Sequence, residues 1–225
     1  TAGFIMQLTN SLVTICCNNV LSVTGGDLYI SVMTIVSSIR QIIDTPIHAI
    51  TEGSSPVISY NYGANNAYRV KKAFRLLLIS CLTYSAILWL LAMVVPNMFA
   101  AIFTSDPALT EITVWALRIY MGGCLLFGAQ IACQQTFIAL GNAKTSAFLA
   151  MFRKIIVLIP LIYILPMFIE DKVMAVFLAE PIADILAVLT TVTMFVLFFK
   201  KLPHNMDEEQ VEEAKQQAQL EAKEV

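Results

Sequence analysis

Six long apolar runs, broken by short polar stretches, dominate the chain: Gly3 to Val23, Leu28 to Ile58, Phe74 to Val95, Ile112 to Leu140, Ala147 to Leu165 and Val173 to Phe199. A bilayer core is spanned by about 20 mostly apolar residues in a helix. Lipid leaves no backbone group unsatisfied, so runs of this length predict transmembrane α-helices. The breaks are short, which makes successive helices antiparallel neighbours, and the predicted fold is an all-α membrane protein built as a six-helix bundle. Polar residues inside the runs recur at helical spacing. In the first helix Gln7, Asn10, Ser11, Thr14 and Asn18 are three or four apart and form one stripe. Such a stripe turns inward, either to hold helices together through hydrogen bonds or to line a cavity that meets substrate.

Charged residues within the runs follow the same periodicity. On the second helix Arg40, Asp44, His48 and Glu52 are spaced by four and share a face. At 1.5 Å per residue from Leu28, Arg40 lies about 18 Å and Asp44 about 24 Å along the helix, while Glu52 at about 36 Å has left the hydrocarbon. Arg40 and Asp44 are therefore the buried pair, structural or engaged in taking up a proton or cation. The sixth helix carries AEPIAD, with Glu180 and Asp184 one turn apart around Pro181. Asp184 is near the midplane at about 16 Å, and Arg118 at about 13 Å from the same surface is the expected partner of either acid. Asp44, Asp184, Arg40 and Glu180 are thus the candidate ion-coupling groups. On the fourth helix Tyr120, Gly123, Phe127, Gln130 and Gln134 form a stripe of aromatic and amide groups suited to flat cationic molecules. Together with Gln7, Asn10, Thr14 and Asn18 they are the candidate cavity lining. Pro160 and Pro166 predict a bend in the fifth helix, from whose start Arg153 and Lys154 are expected to snorkel to the cytoplasm.

Composition narrows the class. Hydrophobic residues make up 58%, charged residues 13%, and mean hydropathy is +0.74, too apolar for a soluble domain. Arg69, Lys71, Lys72, Arg75, Lys144, Arg153, Lys154, Lys200 and Lys201 fall in or near one set of loops, and the opposite loops offer only Lys172. That asymmetry puts the basic loops and both termini in the cytoplasm of a plasma-membrane protein. Cys16, Cys17, Cys81, Cys124 and Cys133 lie within spans without ligand-like spacing, so neither a disulfide framework nor a metal site is expected. There is no nucleotide-binding loop, zinc motif or nucleophile elbow, and neither an enzyme, a cofactor nor a nucleic-acid partner is implied. The apolar start lacks the basic leader of a signal peptide. Residues 1–202 read as the membrane lobe and 203–225 as a charged cytoplasmic tail.

The segment from Pro56 to Arg75, PVISYNYGANNAYRVKKAFR, reads as a cytoplasmic loop, with Asn61, Gly63, Asn65 and Asn66 closing one helix ahead of the basic start of the next. Its Pro, Tyr-Asn-Tyr-Gly-Ala run and Arg-Val-Lys-Lys resemble the loop after the second helix of each lobe in the multidrug and toxic compound extrusion (MATE) transporters. TGGD at Thr24 to Asp27, FIALGNAKTSAF around Gly141 and AEPIAD extend the resemblance over Gly3 to Lys200.

The resemblance implies the C-terminal six-helix lobe of a twelve-helix, two-lobe antiporter, a fragment whose N-terminal lobe is its missing partner. It further implies export of small organic, cationic drugs in exchange for protons or sodium by alternating access. In branches of the family with a described cation site, acids occur on the first and fourth helices of this lobe. Here residues 1–26 hold no Asp or Glu, and the fourth span has only Glu111 at its outer edge, so that site is not carried over. A flippase for lipid-linked precursors and a non-transport six-helix membrane protein are the competing readings.

Overall fold

A computed structural model describes residues 2–200, and these are all helical apart from short turns. The tail expected at 203–225 lies outside the described residues. The elements are α1 (Ala2–Thr24), α2 (Asp27–Gly63), α3 (Ala67–Val94), a short α4 (Pro96–Ala101), α5 (Pro107–Tyr120), a 3₁₀ turn (Met121–Gly123), α6 (Cys124–Ala139), α7 (Ala143–Met151), a π-helical segment (Phe152–Leu158), α8 (Ile159–Phe168) and α9 (Lys172–Phe199). The fourth and fifth predicted spans are thus each one crossing made of pieces, Pro107–Ala139 and Ala143–Phe168. These two, with α3 and α9, are apolar and long enough to cross a membrane. α1 and α2, with 23 and 37 residues, carry the polar stripes instead.

The expected loop from Pro56 to Arg75 is mostly helix. α2 continues to Gly63 through Pro46 and Pro56, and only residues 64–66 turn. Asn65 takes the left-handed conformation (φ 54°), where a short polar side chain is tolerated. The Asn66 backbone N–H donates to the Asn61 carbonyl at 2.9 Å, and its side chain accepts from the Arg69 N–H at 3.0 Å. One asparagine therefore closes α2 and caps α3. On the far side Asp106 and Asp171 cap α5 and α9 in the same way, accepting from Ala108 and Met174 at 3.0 Å.

Packing centres on α2, α3, α6 and α9. A cluster including Ile39, Leu117, Met121 and Phe177 joins α2, α5 and α9, and a second, including Ile47, Leu77, Phe127 and Ile131, joins α2, α3 and α6. Small residues let backbones approach: a Cβ on Gly128 would sit 2.6 Å from the Cys81 carbonyl oxygen of α3. At the far end of α9, Phe195, Phe198 and Phe199 gather around Phe74 and Phe137, with ring centroids 4.6 to 5.2 Å apart. Leu76, Ile79, Leu90, Met167, Phe168 and Leu189 are exposed on the outside, as a lipid-facing surface requires.

A charged ladder beneath a polar cavity

The spacing of Arg40 and Asp44 predicts a pair, and the pair is present, with Nε donating to Oδ2 at 3.1 Å. The same guanidinium reaches across to α9, its Nη1 2.7 Å from Asp184 Oδ2. The other Asp184 oxygen lies 2.5 Å from Arg153 Nη2, which also donates to Glu180 Oε1 at 2.6 Å. Asp44, Arg40, Asp184, Arg153 and Glu180 thus form a ladder of alternating sign, tying α2 to α9 and α9 to the π-helical segment. Asp184 is fully buried, and both arginines are more than nine-tenths buried. Their other faces meet aromatic rings: Phe127 lies 4.6 Å from the Arg40 guanidinium and 5.2 Å from that of Arg153, and Tyr120 lies 6.0 Å from Arg40. These are cation–π distances, with the positive groups over electron-rich faces.

The partners of the AEPIAD acids are therefore Arg153 for both and Arg40 for Asp184, and the expectation of Arg118 is corrected. Arg118 is exposed and takes part in no ion pair among the described residues. Depth counting treated the fifth span as an ordinary α-helix whose early basic residues return to the surface. The chain instead enters a π-helical segment at Phe152, whose hydrogen bonds reach one residue further than in an α-helix. Arg153 points inward there. Lys154 does not snorkel to the cytoplasm either; its ammonium donates to Asn10 Oδ1 of α1. Gly123 is shaped to the same place, because a Cβ on it would fall 2.7 Å from Asp184 Cβ and 3.0 Å from the Pro181 carbonyl oxygen.

Above the ladder is a cavity of about 570 Å³, within the range that holds drug-sized molecules. Gln7, Asn10, Thr14 and Asn18 line one wall, Tyr120 and Phe127 another, and Arg40, Asp44, Arg153, Lys154 and Glu180 its charged side. His48 also reaches it, one turn beyond Asp44, while Glu52 is exposed and outside it. Asp184 lies beneath, covered by the arginines. Gln130 and Gln134 are not part of the lining: Gln130 is buried in the bundle, and Gln130 Oε1 and Gln134 Nε2 are buried without a hydrogen-bond partner among the described residues.

Hydroxyls and amides on the walls behave differently. Thr14 of α1, and Thr34, Ser38 and Thr45 of α2, donate to the carbonyl four residues earlier at 2.7 to 3.1 Å. Such bonds leave little donor capacity for a ligand. Gln7, Gln41 and Asn18 keep side chains long enough to reach into the space, and they line it.

Solved structures share this architecture. An outward-facing multidrug resistance MATE family transporter of the MOP superfamily superposes with a TM-score of 0.82 at 19% identity, over 88% of this chain and 44% of its own. An inward-facing one gives 0.83 at 18% identity, over 90% of this chain and 47% of its own. In sequence, the chain is 22% identical over 147 residues to the multidrug export protein MepA of Staphylococcus haemolyticus (strain JCSC1435), covering 65% of this chain and 32% of that protein. The chain thus spans from about a third to just under half the length of these relatives. The MatE family model matches residues 3–164, well over half of the sequence. The ladder, the polar cavity and the helical order therefore sit in a chain that belongs to the MatE family.

Proposed function

We propose that this chain is one lobe of a secondary active exporter, which expels small organic molecules from the cell in exchange for a proton or a sodium ion. The observation that carries the reading is the charged ladder under a polar and aromatic cavity, because intramembrane charge is costly and marks ion or substrate pathways. Of the candidate carboxylates, Asp44 fits the exchange. It lines the cavity, and its Oδ1 has no hydrogen-bond partner among the described residues. Asp184 is held between two arginines with no exposed surface, and it fits the role of a structural anchor. Arg40 would then report the charge state of Asp44 to α9, and Glu180 would balance Arg153.

Alternating access is supported by the near-equal fits to an outward-facing and an inward-facing transporter. A lobe that keeps its shape in both states rocks against its partner as a body about a midplane site. The basic loops fit a plasma-membrane orientation with Arg69, Lys71, Lys72 and Arg75 in the cytoplasm. The test is efflux of a fluorescent organic cation from cells producing the full-length protein, with the proton and sodium gradients collapsed separately. Asp44→Asn is expected to abolish gradient-dependent export. Export that survives Asp44→Asn would sink its coupling role, and export of no compound under either gradient would sink the antiporter reading.

A further inference from the structure

We propose that the basic end of the bundle, where α3 begins and α9 ends, binds the headgroup of an anionic phospholipid, with Lys71, Arg75 and Lys200 gathered on its phosphate. None of these residues lines the cavity, and the site stands whether or not the chain exports anything. α3 begins at Ala67 and α9 ends at Phe199, and rings lock the two ends together. Phe74 lies 4.6 Å from Phe195 and 5.2 Å from Phe199, centroid to centroid. Arg75 and Lys200 directly follow the two rings of the second contact, and Lys71 is one turn before Arg75 on the same face of α3. The end of α6 joins them, with Phe137 5.2 Å from Phe198, and Lys144 follows in the first turn of α7.

The charge at this end is uncompensated. Residues 64–78, 137–150 and 192–200, the three stretches that meet there, contain no Asp or Glu. Among the described residues, none of Lys71, Arg75, Lys144 and Lys200 is in an ion pair. Arg75, Lys144 and Lys200 are exposed, and Lys71 is half-buried. Membrane orientation asks for Lys and Arg on one side, but it does not ask that cations from separate segments converge without a carboxylate among them. Cations held this way repel one another until an anion lies between them. The surroundings select the anion. Leu76 and Ile79 of α3, and Val196 and Leu197 of α9, are exposed within a turn of the charges, toward the middle of each helix. Apolar surface for acyl chains thus begins directly below a cationic cap. A phospholipid fills both parts, and a free phosphate only the cap. Each basic group facing an anionic headgroup is worth about fivefold in affinity.

The test titrates the purified full-length protein, in an uncharged detergent, with fluorescent phosphatidylglycerol and with phosphatidylcholine of the same acyl chains. The wild type should bind phosphatidylglycerol about a hundredfold more tightly, three fivefold contributions multiplied. Lys71→Gln, Arg75→Gln and Lys200→Gln should each remove about fivefold of that preference and leave phosphatidylcholine binding unchanged. Arg75→Lys should retain it. Arg69→Gln should have no such effect, because Arg69 lies about 160° around α3 from Lys71. Equal binding of the two lipids by the wild type overturns the site without any variant having to fold. A loss in Arg69→Gln as large as that in Arg75→Gln overturns it too, since the attraction would then be that of any basic surface. Displacement of the lipid by inorganic phosphate would assign the cap to a free anion. Phosphatidylglycerol that bound only after Asp207, Glu208, Glu209, Glu212 and Glu213 were neutralised would assign it to the chain's own acidic run; either result removes the lipid.

Discussion

α9 is fastened at two places by opposite chemistry. At mid-helix, Glu180 and Asp184 are held by arginines from two other elements, and four contacts of 2.5 to 3.1 Å run through the buried Asp184 carboxylate and its neighbours. Near its end, Phe195 and Phe199 are held by Phe74 and Phe137 through ring contacts. The aromatic contact is built from many weak attractions, and losing one ring removes a share of them. The ladder is all or nothing at each rung, because a guanidinium stripped of its carboxylate remains charged and buried. A bundle that needed only adhesion could use rings at both ends. The ladder puts charge beside the cavity at a cost that the rings do not carry.

The two attachments can be pulled apart by mutation. Asp184→Leu leaves Arg40 with Asp44 alone and Arg153 with Glu180 alone and should cost about 3–5 kcal/mol, the penalty for breaking a buried pair, read as a loss of thermal stability in detergent. Adding Arg153→Met should recover part of that loss; a double variant as weak as the two single losses combined would deny that Arg153 and Asp184 act as a unit. Phe137→Ala should cost about 2 kcal/mol, below the ~3–5 of a soluble core, because lipid is as apolar as the site and only packing is lost. Gly123→Ala forces a methyl against Asp184 and Pro181, and overpacking of this kind costs about 1–3 kcal/mol. If Gly123→Ala proved neutral, the close approach of the 3₁₀ turn to α9 would not be what sets the ladder. Arg118→Gln should change stability by less than about 0.5 kcal/mol, as an unpaired exposed residue does; a loss as large as that of Asp184→Leu would reinstate it as a partner.

The limits of sequence reasoning follow from the same residues. The long helical segments were legible because lipid imposes length and polarity directly, four of them apolar enough to cross a membrane, and the i,i+4 spacing of Arg40 and Asp44 gave the first rung. The polar stripe of α1 was legible too, and it lines the cavity. Arg153 was not, because its neighbours in the sequence are basic and near a loop, the ordinary setting of a snorkelling side chain. Finding it required knowing that the helix departs from α geometry at Phe152, and no Gly or Pro marks that point; Pro160 comes two turns later. Gln130 and Gln134 shared a stripe with Tyr120 and Phe127 on paper, but Tyr120 and Phe127 line the cavity across the 3₁₀ turn at Met121–Gly123, whereas both amides, on the same helix as Phe127, lie outside the lining. Helical spacing places residues on one face without telling where along that face a cavity ends. The end of α2 was legible: the helix runs through Pro56 and stops at Gly63, within the Asn61 to Asn66 cluster that was read as closing it.

The π-helical segment makes chain length a functional quantity in the fifth span. A wide turn accommodates one residue more than the α-helix it interrupts, so the segment behaves as a tolerated insertion. Removing one residue between Phe152 and Leu158 would let the helix close into regular α form. The helix on either side would keep its facing, and only the side chains inside the segment, Arg153 among them, would turn relative to α9. Arg153 would leave Asp184 while every side chain of the ladder was still present in the protein. In this stretch an alignment gap of a single residue would matter as much as the loss of a charged side chain, and a scan by substitution alone would never detect it.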